Sequence, residues 1–357
     1  MALEAGRLVD EARELLAALF NIRNPDRIVF TLNATEALNL AIKGLLKKGD
    51  HIITSSMEHN SVVRPLHTLE EKGVEVTKVL CDQQGKIKLG DIESSIKHNT
   101  VAIVITHASN VTGTLMPVAE IGRLAKKRGL KYIVDAAQTA GVFDIDVSFM
   151  GIHMLAFPGH KSLYGPTGTG GLYIDDAVNI VPLKEGGTGS MSEPPFQPEV
   201  MPERYESGTV NSVGIAGLAA GVKFIRREGL ERIRKHEMDL TRRFLEGAVG
   251  IRGLRIFGPE DIYERAPVVS FRFDGKPSST VGSVLDEKYN IACRAGLHCA
   301  PDAHKTIGTL GEKLVRFSFS YFNNEREVDY AVSVLKEISQ MPDEQFKKNE
   351  DKGSCKC

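Results

Sequence analysis

One lysine stands in a frame unlike that of any other in the chain. Lys161 lies in "FPGHKSLYGPTGTGGLYI", where Pro158, Gly159, Gly165, Pro166, Gly168, Gly170 and Gly171 impose a tight, irregular backbone and the sequence closes on a strand. Such a loop, tucked against a core, predicts a partly buried lysine whose neutral amine is available for Schiff-base chemistry. A solvated lysine on the tip of a turn is the simpler alternative. Twenty-six residues earlier, Asp135 ends the apolar run "KYIVDAAQ", where a carboxylate needs a cationic partner such as a protonated pyridine nitrogen, unless it caps the next helix. Gln138 could donate to a ring hydroxyl. Thr35, at the start of "ATEALNLAIKGLLKKG", offers a hydroxyl and free N–H groups at the positive end of a helix, either to a phosphate or merely as a cap. A phosphate cradle, an aspartate and a framed lysine are together the set expected of pyridoxal phosphate held as a Schiff base.

The elements that must position these groups follow from the hydrophobic pattern. "RIVFTL", "HIITSS", "VAIVITHAS" and "KYIVDAAQ" are short β-rich runs separated by segments of helical period, the rhythm of a mostly parallel sheet covered by helices. In such sheets ligands gather at the carboxyl ends of the strands, where this sequence places Thr35, Glu58, His59, Asn110, Asp135 and Gln138. From about residue 229 the pattern changes to a long amphipathic helix, the short strands "LRIFG" and "PVVSFRF", and more helix, which predicts a smaller α+β domain. The expected organisation is a large domain over 1–228, a small one over 229–340 and a charged tail over 341–357.

Two further residues carry chemistry. Arg316 sits between Val315 and Phe317, with Phe319 beyond, and a guanidinium in that setting suits bidentate carboxylate binding, or else lies on an edge strand. Cys299 lies in the polar loop "GLHCAPDAH", where a thiolate can be exposed and stabilised, with Gly296 and His298 beside it and Arg294 adding positive charge. Cys81 and Cys293 read instead as small buried hydrophobes.

Composition limits the partners. In 357 residues Lys plus Arg number 45 against 46 Asp plus Glu, and no basic block points to nucleic acid or an anionic membrane. No stretch reads as a membrane span, and the amphipathic start does not read as a signal peptide. Five cysteines are an odd number in a long chain and favour a reducing cytoplasm over a disulfide framework. Cys355 and Cys357, in "GSCKC", form a pair that could relay sulfur or be incidental.

"VDAAQTAG", "GHKSLYGPTGTGGLYI", "TEALNLAI" and "ESGTVN" together resemble the class V aminotransferase fold of pyridoxal-phosphate enzymes, and "RAGLHCAP" resembles the active-cysteine loop of group II cysteine desulfurases and selenocysteine lyases. The resemblance runs from the first helix to about residue 340. It implies a fold type I enzyme with a large α/β/α domain and a small C-terminal α+β domain. It implies that Lys161 carries the cofactor, Asp135 pairs with its ring nitrogen, Gln138 meets its ring oxygen and His59 stacks on the ring and moves protons. Thr35 and His160 would bind the phosphate, joined by Thr209 from the second subunit of a homodimer. Asn110 and Arg316 would hold the amino-acid substrate, with Arg294 near them, and Cys299 would take sulfur from L-cysteine as a persulfide, leaving L-alanine as product and a sulfur-acceptor protein as the partner that receives the sulfur. Selenocysteine lyase, a class V aminotransferase or epimerase, and a weak relay protein on the same fold are the alternatives. The chain departs from the family in carrying Pro158 where a hydroxyl residue is common, in one extra residue at Ser162, and in starting within the first helix, which favours a less covered substrate mouth.

Overall fold

The apolar runs become seven strands. The computed structural model describes residues 2–189 and 191–347. Strands β1 (Ile28–Thr31), β2 (His51–Ser55), β3 (Glu75–Val79), β4 (Thr100–Thr106), β5 (Lys131–Asp135), β6 (Met154–Pro158) and β7 (Gly170–Ile174) form one sheet in the order β1-β7-β6-β5-β4-β2-β3. From β3 to β6 every neighbouring pair is parallel, and β7 runs antiparallel to both β6 and β1. Strands β2, β6 and β7 are buried at every position, as sheets covered on both faces require.

Helices α1 (Ala2–Leu19), α2 (Ala34–Leu45), α3 (Asn60–Glu70), α4 (Leu89–Ser94), α5 (Val118–Arg128) and α6 (Ser212–Glu228) accompany this sheet, α1 lying along α6. In α2 the buried Ala34, Ala37, Leu38, Ala41 and Ile42 recur at helical spacing and make the stripe that packs on β6 and β7. Leu38 and Ile42 are wholly buried, and truncating either to alanine would cost about 2–5 kcal/mol. Asn33 caps α2 by accepting the Glu36 N–H at 3.0 Å.

The chain divides into two compact units. The first comprises 1–79, 87–107 and 116–231, and the second comprises 80–86, 108–115 and 232–357. In the second, β8 (Leu254–Phe257), β9 (Val268–Phe273), β10 (Arg294–Gly296) and β11 (Leu314–Ser318) form an antiparallel sheet in the order β10-β11-β9-β8. With it are α7 (Leu230–Ala248), α8 (Ser278–Tyr289), α9 (Pro301–Thr306), α10 (Glu325–Gln340) and α11 (Glu344–Lys347). Phe244, Phe271 and Phe317 form its aromatic centre, with ring centroids 5.0 Å apart for Phe271 and Phe317 and 5.5 Å for Phe244 and Phe317. Strand alternation turns Val315 and Phe317 into this core and leaves Arg316 on the opposite face. Two short segments of the first half of the sequence, 80–86 and 108–115, thus belong to the second unit, which a single linear boundary near residue 229 does not describe. Cys355 and Cys357 lie outside the described residues.

Candidate functional site

The first group of site residues sits at the carboxyl ends of the parallel strands. Asp135 closes β5 with only 3% of its surface exposed. Its hydrogen bond comes from the Ala137 N–H at 2.9 Å. Burial raises its carboxyl above the usual range, opposed by that N–H and by the charge of Lys161. Gln138, half-buried, follows directly.

Lys161 follows β6 in a loop held by Gly159 N–H to the Thr169 carbonyl and Gly165 N–H to the Gly159 carbonyl, both at 2.8 Å. Gly159 is required there, because a Cβ would lie 2.1 Å from the Thr169 Oγ1. The sequence predicts a partly buried lysine, whereas Lys161 is exposed in this chain, as is His160. The glycines and prolines present the amine instead of covering it, so desolvation by its own loop is not what prepares it. Burial holds the His160 ring below its ordinary value and the charge of Lys161 adds to this, while at Asp135 that charge only opposes the larger effect of burial.

His59 and Thr35 meet through a residue the sequence reading passed over. His59 caps α3, its Nδ1 accepting the Ser61 N–H at 3.1 Å. Ser61 Oγ lies 2.8 Å from that same Nδ1 and 2.7 Å from the Thr35 hydroxyl, so one serine joins the starts of α2 and α3. Glu58, at the carboxyl end of β2, carries no assigned role in the sequence. It is wholly buried, its Oε1 accepting from Ser55 Oγ and the Thr106 N–H while Oε2 has no partner. Burial, with help from the Asp135 charge, pushes its carboxyl up to about 8 against those two hydrogen bonds. The signal for Glu58 and Ser61 was their place just beyond β2, at the same sheet edge as His59. Thr209, exposed, lines a separate cleft of about 700 Å³ with Arg13, Asp10 and Glu206.

A second group gathers in the second unit. Arg294 on β10 is paired in register with Arg316 on β11, which puts both side chains on the same face of the sheet. Arg294 Nη2 donates to Cys299 Sγ at 3.3 Å. Arg316 Nη1 donates to the Asn110 carbonyl at 2.9 Å, and the Asn110 amide donates to the His298 carbonyl at 2.6 Å. Burial, then Arg294, pulls the Arg316 guanidinium down to about 10, so it stays cationic at neutral pH. His298 and Cys299 both adopt left-handed backbone, with φ of 52° and 58°, a conformation that costs side-chain-bearing residues about 1–3 kcal/mol each.

His298 corrects an expectation. Its ring is 3% exposed, with its centroid 5.7 Å from that of His304 and the two planes tilted by 35°. Burial, then the charges of Arg316, His304 and Arg294, hold it down to about 3. The ring is neutral, so the positive charge near the cysteine sulfur comes from Arg294, which donates to it, and from the Arg316 guanidinium. Cys81 and Cys293 are half-buried, not fully buried as expected, and burial pushes the Cys293 thiol up to about 11.

The donor set suits pyridoxal phosphate. A buried carboxylate bonded only to one N–H matches a cationic ring nitrogen, an exposed lysine matches an aldehyde, and hydroxyls at helix starts match a phosphate.

Comparison with known proteins agrees. Residues 1–331 match the class-V aminotransferase family. A probable cysteine desulfurase of Methanothermobacter thermautotrophicus is 38% identical over 353 residues, spanning 96% of this chain and 86% of that protein. The apo structure of a cysteine desulfurase from Thermococcus onnurineus superposes with a TM-score of 0.89 at 35% identity, over 94% of this chain and 85% of that one. The Escherichia coli cysteine desulfurase CsdA, in its S-sulfonic acid form, gives 0.86 at 28% identity, over 95% and 85%. A large mostly parallel sheet ending in a lysine loop, a small antiparallel sheet followed by a cysteine loop, and relatives matched over about 85% of their length lead to one conclusion: the chain belongs to the class-V aminotransferase family, among its cysteine desulfurases.

Proposed function

We propose that this chain is a pyridoxal-phosphate-dependent cysteine desulfurase that converts L-cysteine to L-alanine and keeps the sulfur as a persulfide on Cys299. The observation that carries the reading is the cysteine held 3.3 Å from the Arg294 guanidinium on a left-handed turn, since transamination needs no thiol.

Lys161 would bear the cofactor, Asp135 would face its ring nitrogen, Gln138 its ring oxygen and His59 its face, with Thr35, His160 and a second subunit's Thr209 on the phosphate. When bound, the cofactor supplies an electron sink next to the substrate's α-carbon. Arg316 would clamp the substrate carboxylate, with Asn110 beside it. His59, whose Nδ1 is occupied by the Ser61 N–H, keeps its proton on Nε2 when neutral, and that atom would exchange protons with substrate. Arg294, which donates to the Cys299 sulfur, would orient it toward substrate, and Cys299 reacts as its thiolate. That thiolate attacks the substrate sulfur: an S–S bond forms, the C–S bond breaks, and its electron pair stays on Cβ, which takes a proton to become the methyl group of alanine.

The reading includes a homodimer, supported by the exposed Val181, Leu183, Phe196 and Val200 on the first unit, and a sulfur-acceptor protein serving iron–sulfur cluster assembly in the cytoplasm. No helix among the described residues is long and apolar enough to cross a membrane. The deciding experiment incubates the purified, cofactor-loaded protein with L-cysteine and dithiothreitol. Equal amounts of alanine and sulfide support desulfuration; pyruvate or amino transfer to a keto acid without sulfide rejects it.

A further inference from the structure

Arg265 is 1% exposed and has no carboxylate partner among the described residues. Its Nη1 donates to the Pro259 carbonyl at 2.8 Å, and its Nη2 lies 3.2 Å from the Val268 carbonyl and 3.3 Å from those of Thr112 and Phe257. A buried cation balanced only by peptide dipoles is expensive, and a methionine would fill the space. Burial pulls it down to about 10, so it remains charged at neutral pH.

Its partners explain its presence. Four consecutive carbonyls of the 108–115 segment are each caught by a different donor of the second unit. Asn110 accepts from Arg316, Val111 from Ser270 Oγ, Thr112 from Arg265 and Gly113 from the Ala266 N–H. The fit is close: a Cβ on Gly258 would lie 2.2 Å from the Thr112 oxygen, and one on Gly113 would lie 2.6 Å from the Val268 oxygen. This fixed segment aims the Asn110 amide at the His298 carbonyl, on the residue preceding Cys299.

We propose that Arg265 is a positioning residue for the nucleophile: by clamping 109–113 onto β9 it holds Asn110 so that its amide pins the His298 carbonyl and keeps the left-handed turn that presents Cys299 to Arg294. The consequence for turnover rests on Cys299 being the sulfur nucleophile; the structural claim does not.

The test is hydrogen–deuterium exchange with mass spectrometry on the cofactor-loaded protein, alongside the rate of persulfide formation. Arg265→Lys keeps the charge but cannot span four carbonyls with one ammonium. It is expected to speed exchange about tenfold in peptides covering 108–115 and 294–300, leave the core strands β9 and β11 unchanged, and slow persulfide formation. Asn110→Ala should speed exchange in 294–300 alone, and the double variant should add nothing there. The proposal is overturned if Arg265→Lys loosens 108–115 without 294–300, or speeds exchange uniformly over 232–347 as a general support of the fold would. Should Arg265→Lys not fold, unchanged exchange of 294–300 in Asn110→Ala overturns it equally. A wild type that makes no alanine would reject the desulfurase reading and leave the exchange result to decide this one.

Discussion

Replacing Glu58 with glutamine tests how the buried end of β2 is balanced. Burial raises this carboxyl from the ordinary 4.5 to about 8, so the folded state holds its proton far more tightly than the unfolded chain does. A group of this kind contributes fully below the unfolded value, and its contribution is lost as pH rises through the folded one. At 1.36 kcal/mol per pH unit, that interval corresponds to about 5 kcal/mol of stability surrendered between acid and mildly alkaline pH. Glutamine cannot ionise, and its carbonyl can still accept from Ser55 and Thr106. Its amide would occupy the place of the unpartnered Oε2, at a cost of about 1–3 kcal/mol. The variant is therefore expected to be less stable than the wild type at pH 5 and more stable at pH 8, with the two curves crossing near about pH 6. Urea unfolding followed by circular dichroism at a series of pH values between 5 and 8 reads this directly. Parallel curves for the two proteins would show that Glu58 does not titrate in this range and that its burial is offset in some other way.

Lys161→Ala should abolish covalent attachment: after borohydride treatment the wild type gains the mass of the reduced cofactor and the variant does not, and a modified lysine elsewhere would refute the assignment. Cys299→Ala should keep the bound-cofactor absorbance yet accumulate no persulfide, and extra sulfur trapped on Cys81 or Cys293 of the wild type would contradict the role given to Cys299. If Arg316 clamps the substrate carboxylate, Arg316→Ala removes two charge-assisted hydrogen bonds, about 3–5 kcal/mol together, so kcat/KM for L-cysteine should fall by a factor on the order of 10² to 10⁴. Steady-state kinetics showing a change below threefold would place the substrate carboxylate elsewhere.

The sheet was legible because buried parallel strands are continuous apolar runs, and "HIITSS" and "KYIVDAAQ" could be little else. The lysine loop and the cysteine loop were legible from their restrictive neighbours. The exposure of Lys161 was not, since a glycine-rich loop can cover a side chain or display it, and only the close approach of Gly159 to Thr169 shows which. His298 misled for the opposite reason. A histidine beside the cysteine in a polar loop reads as part of what stabilises the thiolate, but the left-handed turn at 298–299 buries that ring while its successor stays half-exposed. Ser61 was silent, because a serine near a helix start carries no mark of bridging two helices. Arg265 was silent because nothing local to "YERAPVV" shows that its partners include the Thr112 carbonyl, 153 residues away.

That last separation bears on how the chain can be cut. The small sheet and its helices look like a C-terminal module that could be expressed from residue 232 onward. Such a fragment would lack 108–115, leaving the Ser270 hydroxyl and the Ala266 N–H without the acceptors that satisfy them, Arg265 without one of its four carbonyls, and Arg316 without the Asn110 oxygen. Each missing bond exposes or strands a donor worth about 1–3 kcal/mol, against a total stability of about 5–15 kcal/mol for a typical domain. Grafting the cysteine loop onto another protein, or exchanging C-terminal halves between relatives, therefore requires transplanting the eight residues from Ala108 to Leu115 as part of the same piece.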